Sequence, residues 1–175
     1  GNVMCSRGSV IPLFIDKIKH GLPLTVTDGA MTRFIMNLNE AVDLVLYAFE
    51  NGSQGDLFVQ KADACTIEVL TQATKELFGV PDYPTQTIGI RHGEKMYETL
   101  LTNEECARAV DCGMFYRVIA DNRDLNYEKY LSLGNKDRNT LTEFNSNNTR
   151  LLDVEQTKKK LLTSKLVTDE LEAWG

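Results

Sequence analysis

Two short patterns are missing from these 175 residues. No G-x-G-x-x-G occurs among the twelve glycines, so nothing in the chain offers the tight backbone turn that cradles a dinucleotide pyrophosphate. No tyrosine is followed four residues later by lysine, because those positions hold Asn51, Thr87, Leu101, Ala120, Leu131 and Gly134. Histidine is scarce, with only His20 and His92, and neither stands in a nucleophile context that would suit a Ser-His-Asp set. With so few nitrogen ligands and no C-x-x-C among Cys5, Cys65, Cys106 and Cys112, a metal site has no support. The same dispersal of cysteines suits reduced thiols in a cytoplasm better than a disulfide framework. No apolar run approaches the roughly 18 residues of a membrane span, and no signal peptide is visible. Positive charge is also in short supply. A net charge of −6 argues against a nucleic-acid or membrane-surface binder.

What is present is a soluble globular composition, 42% hydrophobic and 25% charged. That is enough to bury one core and carry a small appendage. Val10, Ile11, Phe14 and Ile18 form a stripe that predicts a helix over 9–20, with Ser9 as N-cap and Pro12 in the first turn. Residues 24–27 alternate like a strand. Asn37 with Glu40 predicts the start of a helix so apolar all round that it should lie buried between layers. A strand at 57–59, a helix at 66–78 and a strand at 86–90 follow. Thr102 with Glu105 predicts a helix over 103–111. Five asparagines between Asn135 and Asn148 mark an irregular connection before helices at 153–162 and about 168–174. Strands separated by helices indicate an α/β fold with a small sheet. Two regions are expected, residues 1–134 and an extension at 135–175. The opening at Gly1, without an initiator methionine, reads as the start of a fragment.

Several positions carry chemistry that remains ambiguous on spacing alone. The step Gly8-Ser9-Val10 into a helix either caps it or presents N–H groups and a hydroxyl to an anion. Arg33 and Arg91 are either surface residues or a pair of guanidinium forks for a diphosphate. Glu94 either pairs with Lys95 or accepts hydrogen bonds from sugar hydroxyls. Phe115, Tyr116, Tyr127 and Tyr130 fit a core better than a base-stacking platform.

A resemblance sharpens these readings. The run GNVMCSRGSVIPLFIDKIKHGLPLTVTDGAMTRFIMNLNEAVDLVLYAFENG, continued by GDLFVQKA and RHGEKMYETLL, resembles the C-terminal half of extended short-chain dehydrogenase/reductase enzymes of capsule and O-antigen synthesis. ADNRDLNYEKY and FNSNNTRLLDVEQTKKKLL resemble the extension of that branch. The chain is most like the inverting UDP-N-acetylglucosamine 4,6-dehydratases, some of which are labelled UDP-glucose 4-epimerases. Such a likeness implies a small substrate-binding domain whose Rossmann partner, holding NADP or NAD, lies outside this chain. It implies oxidation of the sugar at C4, loss of water across C5 and C6, return of hydride, and optional inversion at C5, with the Tyr-x-x-x-Lys pair also outside the chain. It implies UDP-N-acetylglucosamine or a related UDP-hexose as ligand and a homo-oligomer for the full-length enzyme. By the same likeness Asn2 faces sugar and phosphates, Ser9 and Val10 touch the nucleotide, and Thr25, Val26 and Thr27 border the uracil. Arg33 is matched to the diphosphate arginine, and Arg91 with Glu94 to the R-x-G-E-K segment. Cys5 departs from the pattern by replacing a glycine, where its side chain either narrows the approach to the sugar or is a tolerated small thiol. Dehydratase and epimerase are not separated by these residues.

Overall fold

Short polar side chains compete with helical backbone bonding, and they mark where the helices begin. The structure is a computed structural model that describes residues 3–90, 92–120 and 143–175. Helix α1 (Val10–Lys19) follows Ser9, α2 (Leu38–Asn51) follows Asn37, and α3 (Ile67–Leu77) follows Thr66, whose hydroxyl accepts the Val69 N–H at 3.1 Å. Asn37 Oδ1 accepts the Glu40 N–H while Glu40 Oε2 accepts the Asn37 N–H, both at 2.8 Å. The same reciprocal box starts α4 (Asn103–Cys106) at Thr102 and α5 (Val154–Leu161) at Asp153. Helix α6 spans Lys165–Trp174.

Between the helices run short strands: β1 (Leu24–Val26), β2 (Thr32–Phe34), β3 (Leu57–Gln60), β4 (Ala64–Thr66), β5 (Thr85–Thr87), β6 (Thr99–Leu101), β7 (Ala109–Asp111), β8 (Phe115–Val118) and β9 (Phe144–Asn145). The result is a mixed α/β fold of several small sheets, the fold class that the alternation of strands and helices indicates.

Among the described residues the chain divides into two units. The first comprises residues up to Val42, Ala62–Glu98 and Asn145–Gly175. Here β1 pairs in parallel with β5, and β2 pairs antiparallel with β4 in the register Thr32↔Thr66, Arg33↔Cys65, Phe34↔Ala64. Side chains on a strand alternate between faces, so Thr32 and Phe34 are buried while Arg33 points the other way and is half-buried. Helix α3 packs on α1 and α5. Phe14, Leu24, Leu70, Leu161 and Val167 are almost completely covered, each contributing about 1.5–3 kcal/mol of hydrophobic stabilisation. The C-terminal helices belong to this core: Trp174 Nε1 donates to the Phe78 carbonyl at 3.0 Å, and Lys158 pairs with Glu76 at 3.0 Å.

The second unit comprises Asp43–Lys61 and the described residues 99–120 and 143–144. Its main sheet has the order β3-β8-β7, all antiparallel. Asp56 anchors this sheet. Its carboxylate, 2% exposed, takes hydrogen bonds from the Ser53 N–H (2.8 Å), the Ala120 N–H (3.2 Å) and Arg117 Nε (2.8 Å). The Ser53 N–H, with smaller help from Ala120 and Arg117, holds the Asp56 carboxyl below the usual carboxylate range against the opposing effect of desolvation.

Three expectations are corrected. The helix expected over 103–111 stops at Cys106, and residues 109–111 instead form β7, because Val110 and its neighbours pair with β8. The strand expected at 86–90 lies at 85–87. Helix α2 is not buried: Leu38, Val42, Val45, Leu46 and Phe49 are exposed, Phe49 by 84%. A helix that is apolar all round needs a layer on each side, and the described residues supply none over this face. Phe115 and Tyr116 are buried in β8, while Tyr127 and Tyr130 lie outside the described residues.

An exposed apolar face of this kind drives association. The isolated chain should therefore self-associate, and Val45→Lys combined with Phe49→Lys should lower its mean mass in light scattering. Asp56 generates a second expectation. Because its folded pKa is depressed, the stability it contributes is present above the ordinary carboxylate pKa and is lost as pH falls through the folded value. Thermal melts from pH 7 to pH 3 should show a lower Tm for Asp56→Asn at neutral pH, with the gap to the unmodified chain closing as the pH drops.

Candidate functional site

The chain enters α1 through Gly8, whose φ of +78° a side chain would oppose, and Ser9 then takes an extended conformation at the N-cap position. The Ser9 hydroxyl makes no capping bond. It is buried and finds no hydrogen-bond partner among the described residues. The expectation of a side-chain cap is thus corrected: the position is right, but the hydroxyl is turned elsewhere. With Pro12 lacking an N–H, the Val10 and Ile11 N–H groups form the positive end of the helix.

That end opens on a cavity of about 370 Å³, within the usual range for small-molecule sites. Its walls come from the loop before α1, from β1 and the residues after it, from β2, and from the segment that leads to Glu98. Ser9, Val10, Thr25, Val26, Thr27, Arg33 and Glu94 all line it, so seven positions scattered over 86 residues of sequence share one concavity. Asn2 and Arg91 lie outside the described residues. Apolar walls are supplied by Phe14, Met31, Ile35 and Leu70.

Arg33 is the cationic side chain among the described lining residues. Its Nη1 donates to the Thr32 carbonyl at 2.7 Å, with a longer contact to the Met96 carbonyl at 3.5 Å, and Nε lies 3.9 Å from Glu98 Oε1. Thr25 Oγ1 accepts from Lys17 Nζ at 2.6 Å, which fixes the rotamer of that strand residue. Asp28 and Glu98 join Glu94 as carboxylates on the wall. Asp28 also closes its own turn by accepting the Ala30 N–H at 2.8 Å. Reading the sequence missed both as lining residues. Asp28 looked like turn chemistry alone, and the available signal for Glu98 was its place four residues beyond Glu94 in the RHGEKMYETLL segment. Chemically, the cavity offers an anion site at the helix end and Arg33, and acceptors for hydroxyl groups elsewhere.

Comparison with known proteins adds the family. Residues 1–120 match the model of a family described as polysaccharide biosynthesis protein, and residues 121–168 match that of the polysaccharide biosynthesis protein C-terminal region. The chain belongs to the polysaccharide biosynthesis protein family. Proteins named UDP-glucose 4-epimerase from Rickettsia akari (strain Hartford) and Rickettsia prowazekii (strain Madrid E) are each 54% identical to it over 172 residues, covering 98% of this chain and 50% of theirs. The chain thus spans about half the length of the curated relatives it matches. The solved structure titled X-ray structure of Pen from Bacillus thuringiensis superposes with a TM-score of 0.75 at 31% identity, over 93% of this chain and 47% of that one.

In this member of the polysaccharide biosynthesis family, Cys5 adopts φ +59°, the left-handed region where a side chain costs about 1–2 kcal/mol and glycine costs nothing. Its thiol does not line the cavity: it packs against the hydrophobic core and hydrogen-bonds with Ser164, which fits a tolerated small thiol and not a narrowed sugar approach. Among the described residues no three His, Cys, Asp or Glu side chains cluster as metal ligands, and no helix is long and apolar enough to cross a membrane.

Burial pushes the Cys5 thiol up, with the Ser164 bond pulling the other way, and burial pushes the Cys65 thiol up to about 12. Since the thiolate is the nucleophile, both should be slow toward iodoacetamide at pH 7.5. Mass mapping of native labelling should find Cys112, half-exposed, modified first and Cys65 last.

Proposed function

We propose that this chain is the sugar-nucleotide-binding part of a UDP-sugar 4,6-dehydratase/5-epimerase of capsule or O-antigen synthesis, acting on UDP-N-acetylglucosamine or a related UDP-hexose. The observation that carries the reading is the single cavity lined by Ser9, Val10, Thr25, Val26, Thr27, Arg33 and Glu94. In this reading the α1 N-terminus, the Ser9 hydroxyl and Arg33 take the diphosphate, with Arg91 as a second guanidinium and Asn2 toward the sugar. Thr25, Val26 and Thr27 border the uracil, and Glu94 accepts from sugar or ribose hydroxyls.

The chain's own residues do not fit a nicotinamide dinucleotide, since no glycine fingerprint is present and no Tyr-x-x-x-Lys pair exists. Hydride and proton transfer at the sugar therefore belong to protein beyond these residues, with NADP or NAD bound there. Orientation of the substrate is the contribution of this part, and alone it is inactive. A second reading, UDP-glucose or UDP-N-acetylglucosamine 4-epimerase, is favoured by the names of the Rickettsia relatives. The proposal also places the protein in the cytoplasm, in keeping with its four unpaired cysteines, and makes the full-length enzyme a homo-oligomer.

Titration calorimetry with UDP tests the site. The unmodified chain should bind, and Arg33→Ala and Arg91→Ala should each lose roughly 1.5–3 kcal/mol, about a ten- to hundredfold weaker Kd. A flat titration of the unmodified chain contradicts the assignment. Joined to a matching upstream Rossmann domain, the chain should convert UDP-N-acetylglucosamine in an NADP-dependent reaction, and the product, a 4-keto-6-deoxy sugar or a C4 epimer, separates the two activities.

A further inference from the structure

The cavity is braced from behind by a residue 113 positions away from Arg33 in sequence, Ser146. Its side chain is 0% exposed and its hydroxyl both donates and accepts. Ser146 Oγ accepts the Glu98 N–H at 2.9 Å, and its proton is shared between Thr32 Oγ1 (2.7 Å) and the Thr32 carbonyl (3.1 Å). The Ser146 N–H in turn donates to the Glu98 carbonyl at 2.8 Å. Thr32 Oγ1 passes its own proton to Asn147 Oδ1 at 2.7 Å, and the Thr32 N–H reaches the Met96 carbonyl at 2.9 Å.

These are the same groups that face the Arg33 guanidinium. Among the described residues its oxygen neighbours are the Thr32 carbonyl, the Met96 carbonyl and the Glu98 carboxylate. Two of them sit on residues that Ser146 bonds directly, and the third is tied to Thr32. We propose that Ser146 is a positioning residue for Arg33: by pinning β2 to the 96–98 segment it fixes the acceptors that aim the guanidinium into the cavity, and so couples the C-terminal segment to sugar-nucleotide affinity. This inference rests on the reading of the cavity as the UDP site.

The coupling is readable in a double-mutant cycle on the 175-residue chain. Ser146→Ala should weaken UDP binding about three- to tenfold, the scale of one buried hydrogen bond, and should have no further effect in an Arg33→Ala background. Asn147→Ala, at an exposed position, should give a smaller loss in the same direction. Thr149→Val removes a different anchor of the same segment, the 2.8 Å bond to the Ala62 carbonyl, and should lower Tm without changing UDP affinity. Additive losses in the cycle, or an affinity drop in Thr149→Val equal to that in Ser146→Ala, would overturn the proposal. If the unmodified chain binds no UDP, the site reading falls. The positioning claim is then decided by the Arg33 Nε–H resonance in ¹⁵N NMR. A shift and faster solvent exchange in Ser146→Ala support it, and an unchanged signal in both Ser146→Ala and Asn147→Ala overturns it.

Discussion

The hydroxyls of Thr32 and Ser146 meet at 2.7 Å in a part of the first unit that water does not reach, and much else is arranged around that contact. A buried hydroxyl left without a partner costs about 1–3 kcal/mol, so a pair of them is tolerable only where each hydroxyl both donates and accepts. Here each does, through Glu98, Asn147 and the Thr32 backbone. The pairing joins chain segments 114 residues apart, and it does so beside a strand of only three residues. A strand that short has too few ladder bonds to hold itself straight. With β4 bonded along one side and Ser146 locking the end, β2 becomes a rigid support for whatever Arg33 holds.

Rigidity in that strand matters because the other side of the cavity is built differently. There the chain turns through Gly8 into α1, and the useful groups are backbone N–H donors and one hydroxyl instead of a long side chain. Such donors are fixed by the helix itself and need no rotamer to be ordered on binding. The orphaned Ser9 hydroxyl fits this division of labour. In a well-packed protein a buried hydroxyl seldom goes without a partner, and one that does so at the lip of a cavity is where a ligand atom would satisfy it.

The helix starts were legible because capping chemistry is local: Asn37 with Glu40, Thr102 with Glu105 and Asp153 bond within three residues of themselves. Strands were harder. A run such as Thr32-Arg33-Phe34 is too short to show a period, and its partner Ala64-Cys65-Thr66 is recognisable only once the fold has brought it near. The length of α4 was misread because a good cap says where a helix begins and nothing about where it ends. Burial of α2 was misread because sequence shows how apolar a helix is, not what covers it. Spacing alone leaves Arg33 and Glu94 undecided between surface residues and a ligand site, and their convergence depends on β2 and the 92–98 segment meeting through Thr32, Met96 and Ser146. Those are long-range bonds that no local window contains.

Electrostatics decide which way round a nucleotide sugar would lie. The described walls carry Asp28, Glu94 and Glu98 against Arg33, an acidic balance that would repel a diphosphate placed at random. Arg33 is moreover 3.9 Å from Glu98, which draws down its field. The positive end of α1 is therefore needed beside it, and under the proposed reading the diphosphate is confined to the sector between Ser9 and Arg33. The carboxylates then face the hydroxyl-bearing ends of the ligand, where an acceptor is an advantage and a second negative charge is absent. A cavity lined by arginines alone would bind phosphates in any pose. Mixing carboxylates into the wall gives up affinity for the anion and favours one orientation, and under the proposed reading orientation is what a reaction at C4 of the sugar would require from the part that does not carry the hydride.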